Sequence, residues 1–155
     1  MAGILLSCAV TLPVSVESMT EYIQCINIER KIEHVQEWEP LVSEYFKQED
    51  IPKALTIIYC ESSGRDDAVG INTNGTRDIG LWQFNDNTWT WLTNKLNINS
   101  NRYNPEVTTA VAAWLVYNDG WHHWNSSKHC WGEVNNYGKE QTKIHTKKER
   151  KSKYI

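Results

Sequence analysis

The sequence predicts a mainly helical α+β fold with one small β-hairpin, and three observations carry that prediction. Apolar residues recur at three- and four-residue steps from Gln36 to Phe46 and again after Asp50, the spacing of amphipathic helices. Asn74-Gly75 lies between short segments from Ala68 to Phe84, a strong two-residue hairpin signal. At 155 residues the chain has the size of one domain with a single core.

Taken in order, Gly3 to Val16 is apolar, but its fourteen residues are too few to span a bilayer comfortably. The first basic residue is Arg30, so the positive leader expected of a signal peptide is missing, and Leu6-Ser7-Cys8 is only a faint lipobox. Residues 1–35 are therefore a separate N-terminal segment, signal-like or anchor-like, without stable membrane insertion. Met19 to His34 is open between helix and strand.

In the first predicted helix, Trp38, Leu41, Val42, Tyr45 and Phe46 face inward, with Pro40 near the start. Asp50 is the expected cap of the second, with Pro52 in its first turn and Ala54, Leu55, Ile57, Ile58 and Cys60 as a buried body ending at Ser62-Ser63-Gly64. Glu61 thus falls in the last turn of an apolar helix, where both desolvation and the helix dipole disfavour a carboxylate. A purely structural sequence would prefer Lys there.

Beyond the hairpin, Asn104-Pro105 punctuates the chain, and Val107 to Tyr117 reads as a buried helix stopped by Asp119-Gly120. The aromatic segment GWHHWNSSKHCW follows and is expected to pack back on the core. Residues 36–138 make the expected catalytic domain. Residues 139–155 hold seven Lys/Arg and two Glu against nine and seventeen in the rest, a tail of +5 on a body of −8. A solvated disordered end is favoured over attraction to a polyanion, and no nucleic-acid partner is expected.

With 40% hydrophobic and 23% charged residues, the composition excludes a disordered or fibrous chain. The anomaly is eight tryptophans, which serve cores and sugar-stacking surfaces alike. For Trp82, Trp89, Trp91 and Trp114 packing outweighs stacking, with Trp89 the best stacking candidate. Cys8, Cys25, Cys60 and Cys130 show no paired zinc spacing. His122, His123, His129 and Cys130 invite a metal reading, but fit no zinc pattern. Exposed loop histidines are the expectation, with no metal and no cofactor.

Glu61 and Asp78 stand seventeen residues apart, one closing a helix and the other just after a hairpin. Glycoside hydrolysis needs two carboxyls in unlike surroundings, one protonated to serve the leaving oxygen and one ionised to stabilise an oxocarbenium-like transition state. Glu61 follows the apolar run IIYC, whereas Asp78 sits among Asn72, Thr73, Asn74, Thr76 and Arg77.

The stretch CESSGRDDAVGINTNGTRDIGLWQFNDNTW, from Cys60 to Trp89, resembles the central region of animal, chicken-type lysozymes without a gap. NPEVTTAVAAWLVYNDGWHHW is more similar to phage lysozyme-like proteins and soluble lytic transglycosylases, which share the ES and GLxQ motifs. The chain is accordingly identified as a member of the lysozyme-like superfamily. Lysozyme's two tuned carboxyls are a known worked case, carried over here as what the resemblance implies. It implies a lysozyme-like fold with the hairpin beside the active-site cleft, Glu61 as general acid, and Asp78 as nucleophile or stabiliser.

It further implies that Gln83 and Asn85 line the cleft, Asn85 bonding a sugar acetamido group, that Trp121 packs against the acid, and that Cys60 pairs with Cys130. The implied activity is a muramidase cutting the β-1,4 bond between N-acetylmuramic acid and N-acetylglucosamine in peptidoglycan glycan strands. A lytic transglycosylase forming 1,6-anhydro ends is the alternative, because in those relatives the Glu acts alone; a glycan-binding module without catalysis is the third reading. A monomer in an extracellular or phage-associated setting completes the expectation.

Overall fold

The computed structural model describes residues 8–10 and 13–135. The basic tail 139–155 and much of the apolar stretch Gly3–Val16 lie outside the described residues. The chain folds as α1 (Val16–His34), α2 (Glu39–Tyr45), α3 (Ile51–Ser62), β1 (Val69–Ile71), β2 (Arg77–Ile79), β3 (Phe84–Asn85), α4 (Asp86–Leu96), α5 (Pro105–Asp119) and α6 (Lys128–Trp131). This is the mainly α, α+β architecture of a lysozyme-like fold.

The ambiguous segment before His34 is helical. Ser15 caps α1 by accepting the Ser18 N–H at 3.0 Å, Glu17 sits in the first turn, and Lys31 and His34 sit in the last, all complementing the helix dipole. Ile28 and Ile32, one turn apart, bury against α3, and Cys25 is tied to Cys8 by a disulfide. The stretch expected as one helix from Gln36 to Phe46 is instead a 3-10 turn, Gln36–Trp38, followed by α2 with Pro40 in its first turn.

At the centre of the molecule α3 packs on α1, α2 and α6, with Ala54, Leu55, Ile57 and Ile58 wholly excluded from solvent. Asp50 precedes α3 but makes no capping bond; its carboxylate accepts the Tyr117 hydroxyl at 2.7 Å, fixing α5 against the start of α3. The cap expected there is thus corrected: a tertiary phenol outcompetes the local backbone.

Between α3 and α4 the hairpin extends to a three-stranded antiparallel sheet in the order β1-β2-β3. Five residues, Asn72–Thr76, connect β1 to β2, with the Gly75 N–H on Asn72 O at 2.9 Å and Gly75 at φ +83°. Asn74-Gly75 therefore marks the hairpin, in a longer loop than a two-residue turn. The helix α4 was not expected: Trp89 and Leu92 are its only buried residues, too few to set a periodicity. Asn85 caps it, accepting the Asn87 N–H at 3.1 Å, and Asn104 caps α5 in the same way from Val107.

Candidate active site

A groove between α3, the sheet and the segment after α5 is lined by Glu61, Asp78, Gln83, Asn85, Thr88, His123, Trp124 and Ser126, among others. Two sequence motifs meet beneath it. Ser62 of the ES pair is buried at the end of α3 and its hydroxyl lies 2.8 Å from Leu81 O of the GLWQ motif and 3.1 Å from Ile58 O. Gly80 of that motif has φ +84°, and a Cβ there would stand 2.0 Å from the Arg102 carbonyl oxygen, so only glycine fits.

Glu61 is half-buried in the last turn of α3. Its neighbour Cys60 is bonded to Cys130 of α6, so a covalent link clamps the acid's helix end to the C-terminal wall. Burial pushes the Glu61 carboxyl above its ordinary value; a hydrogen bond from Ser127 pulls it down, and the charge of Asp78 pushes it up again, leaving it raised. Ser127 Oγ also lies 3.1 Å from the Trp124 carbonyl. That hydroxyl has one proton and two acceptors, so its bond to Glu61 competes with one to the backbone.

Asp78 is in the middle of β2, where the register places it opposite Gly70 on one side and Asn85 on the other. Its two carboxylate oxygens accept from separate amides, Asn85 Nδ2 at 2.8 Å and Asn72 Nδ2 at 2.9 Å. Both amides also reach Thr76 Oγ1, at 2.9 and 3.2 Å. Charge-assisted bonds of this kind fix a carboxylate in position.

The same bonds redefine what Asn85 and Gln83 offer a ligand. Both N–H groups of Asn85 go to Asp78 and Thr76, and its Oδ1 caps α4, so the residue implied to bond a sugar acetamido group also holds Asp78. Gln83, at φ +50°, spends its amide N–H groups on Ala68 O at 3.1 Å and Gly80 O at 2.9 Å, leaving Oε1 as an acceptor. Gly70 makes room for it: a Cβ at that position would be 3.2 Å from this oxygen.

Two candidates are placed elsewhere. Trp89 is 8% exposed and packs on Phe84 with ring centroids 5.6 Å apart, so it is a core anchor and does not line the groove. Trp121 stacks on Phe46 at 5.9 Å, under the Lys53 ammonium 4.6 Å from its ring. The 3-10 segment kinks at Trp124 (φ −108°, ψ 21°), and it is Trp124 that lines the groove in the place expected of Trp121, its Nε1 donating to Trp82 O at 3.1 Å.

The sequence does not single out Ser127, Thr76 or Asn72 as site residues, and it raises His123 only in a metal reading, whereas the structure places it on the groove. Asn72 and Thr76 were visible only as polar surroundings of Asp78, and Ser127 carries no local signal because its partner lies 66 residues away. The pairing of Cys60 with Cys130 is present as the resemblance implied.

One family model matches the chain, described as the transglycosylase SLT domain, over residues 42–152. No curated protein matches it.

Proposed function

We propose, from the premise that this chain belongs to the transglycosylase SLT domain family and is a peptidoglycan-cleaving enzyme of the glycosidase type, that it cuts the β-1,4 bond between N-acetylmuramic acid and N-acetylglucosamine with Glu61 as proton donor. The observation that carries this reading is a partly buried glutamic acid, held above its ordinary pKa, in one groove with a carboxylate fixed by two amides.

In the first step Glu61 gives its proton to the glycosidic oxygen as the bond to the anomeric carbon breaks. The positive charge developing on the sugar ring is offset by Asp78, which Asn72 and Asn85 keep in place without solvent reorganisation. In the second step the Glu61 carboxylate takes a proton from the incoming hydroxyl, restoring the acid. Ser127 acts through Glu61 as a positioning residue, and the Oε1 of Gln83, which has no donor among the described residues, suits a sugar acetamido N–H. Where water supplies the hydroxyl the product has a reducing end, the outcome the fixed Asp78 favours. The family match favours a second outcome, attack by the muramyl 6-hydroxyl to give a 1,6-anhydro end.

Mass spectrometry of the released muropeptides tests both. Reducing ends are expected; anhydro ends alone would replace hydrolysis with transglycosylation, and no soluble fragments from any wall preparation would leave a glycan-binding module. We further propose a monomer acting outside the cytosol, as a secreted or phage-associated protein. The two disulfides support an oxidising setting. No helix among the described residues is long and apolar enough to cross a membrane.

A further inference from the structure

The rim of the groove carries a second constellation that bond cleavage does not use. Asp119, the last residue of α5, brings one carboxylate oxygen to both imidazoles of the turn that follows: His123 Nε2 lies 2.7 Å from its Oδ2 and His122 Nε2 lies 3.4 Å from the same atom. The imidazole rings stand 4.2 Å apart, and the three donor atoms all fall within 4.8 Å of one another. A tetrahedral ion with ligands at roughly 2.0–2.2 Å separates its donor atoms by about 3.4 Å. One edge of such a polyhedron is therefore already present, and the second needs an opening of less than about 1 Å.

The donor chemistry narrows the ion. Two imidazole nitrogens and a carboxylate suit zinc, copper or nickel far better than magnesium or calcium, which take oxygen donors. The exposure fits an exchangeable ion: the Asp119 and His122 side chains are 52% and 56% open to solvent, while His123, at 21%, is anchored. The sequence grouping of histidines with His129 and Cys130 misses this set, because Cys130 is spent in a disulfide and the third donor comes from α5.

We propose that Asp119, His122 and His123 bind a transition-metal dication of the zinc class, and that occupation inhibits the enzyme. His123 is shared between the metal set and the catalytic groove. Binding would fix its ring and add two positive charges at the rim through which the glycan enters. The inhibitory half rests on the glycosidase reading above; the binding half does not.

The test uses the full chain without a histidine tag, titrated with Zn(II) by calorimetry, beside wall lysis measured with and without Zn(II). The wild type and Glu61→Gln are expected to bind a single Zn(II), and His122→Ala, an exposed position that does not line the groove, to bind at least about tenfold more weakly. Its metal-free lysis should equal the wild type's, with half-inhibition shifted by the same factor. Equal Zn(II) affinity in His122→Ala, or no stoichiometric binding by the wild type, overturns the site. Binding that depends on His122 without loss of lysis overturns the inhibition alone. Absence of lysis in metal-free wild type strikes the functional reading and leaves the site standing.

Discussion

The groove has two chemically unlike walls. Glu61 stands at the end of an apolar helix, beside the Cys60–Cys130 bridge, with one hydroxyl as its hydrogen-bond donor among the described residues. Asp78 stands in a short strand with an amide on each oxygen and a threonine hydroxyl joining the amides. In the proposed reaction the same functional group is given two jobs by what surrounds it: burial favours the protonated form of Glu61, and two amides fix the Asp78 carboxylate that would offset positive charge. Each wall can be dismantled separately, and the expected losses differ.

The largest effect belongs to Glu61→Gln. Removing a general acid costs about 10²–10⁴-fold or more in rate, so lysis should fall by at least that much while the fold persists. The stability sign is opposite. Because the folded-state carboxyl titrates above its ordinary value of 4.5, the folded state holds its proton longer than the unfolded chain. Wild-type stability therefore falls as pH rises from about 4.5 through the raised value. Glutamine has no such window. The variant should melt higher than wild type at neutral pH and match it near pH 4, and full lysis by this variant would remove Glu61 from its role.

The other wall is tested by Asp78→Asn, which keeps the shape and removes the charge. If Asp78 offsets charge in the transition state, a loss of roughly 10²–10³-fold is expected. Undiminished release of fragments, all ending in anhydro sugars, would show Glu61 working alone. Cutting the covalent clamp with Cys60→Ser and Cys130→Ser together should lower stability by about 2–4 kcal/mol, read by denaturant titration. Lysis below the melting range should suffer less than in either carboxyl variant.

The two walls also differ in how far the sequence reveals them. Glu61 was legible because one helix holds both the residue and the apolar run that makes it anomalous, and Asp78 because a hairpin loop of polar residues flanks it. The partners that give each carboxyl its chemistry were not. Ser127 reaches Glu61 across 66 residues, and the bonds of Asn85 to Asp78 follow from a strand register that a two-residue β3 cannot announce. The spacing of GWHHW fits either tryptophan, and tertiary packing separates them: Trp121 stacks on Phe46 just after α2, while Trp124 packs on Trp82 and Phe84 at the groove. Arg102 is a similar case: 9% exposed, it donates to Arg77 O, Phe84 O and Asp86, pinning the outer sheet through contacts no local pattern encodes.

The smallest effect sharpens the comparison most, because it asks whether the Glu61 wall is tuned or merely dry. Ser127 donates to the ionised form of Glu61 and so opposes burial; Ser127→Ala removes that donor and leaves desolvation and the charge of Asp78 to act unopposed. The acid should then keep its proton to higher pH, and the alkaline limb of the kcat/KM profile should move upward, with little change in rate on the acid side of it. A residue that only packed would lower the whole profile without moving the limb. Ser127→Thr, which restores the hydroxyl, should return the limb toward its original position. A limb that moves downward in Ser127→Ala would mean that the hydroxyl proton sits on the Trp124 carbonyl and that Ser127 instead accepts from the protonated acid.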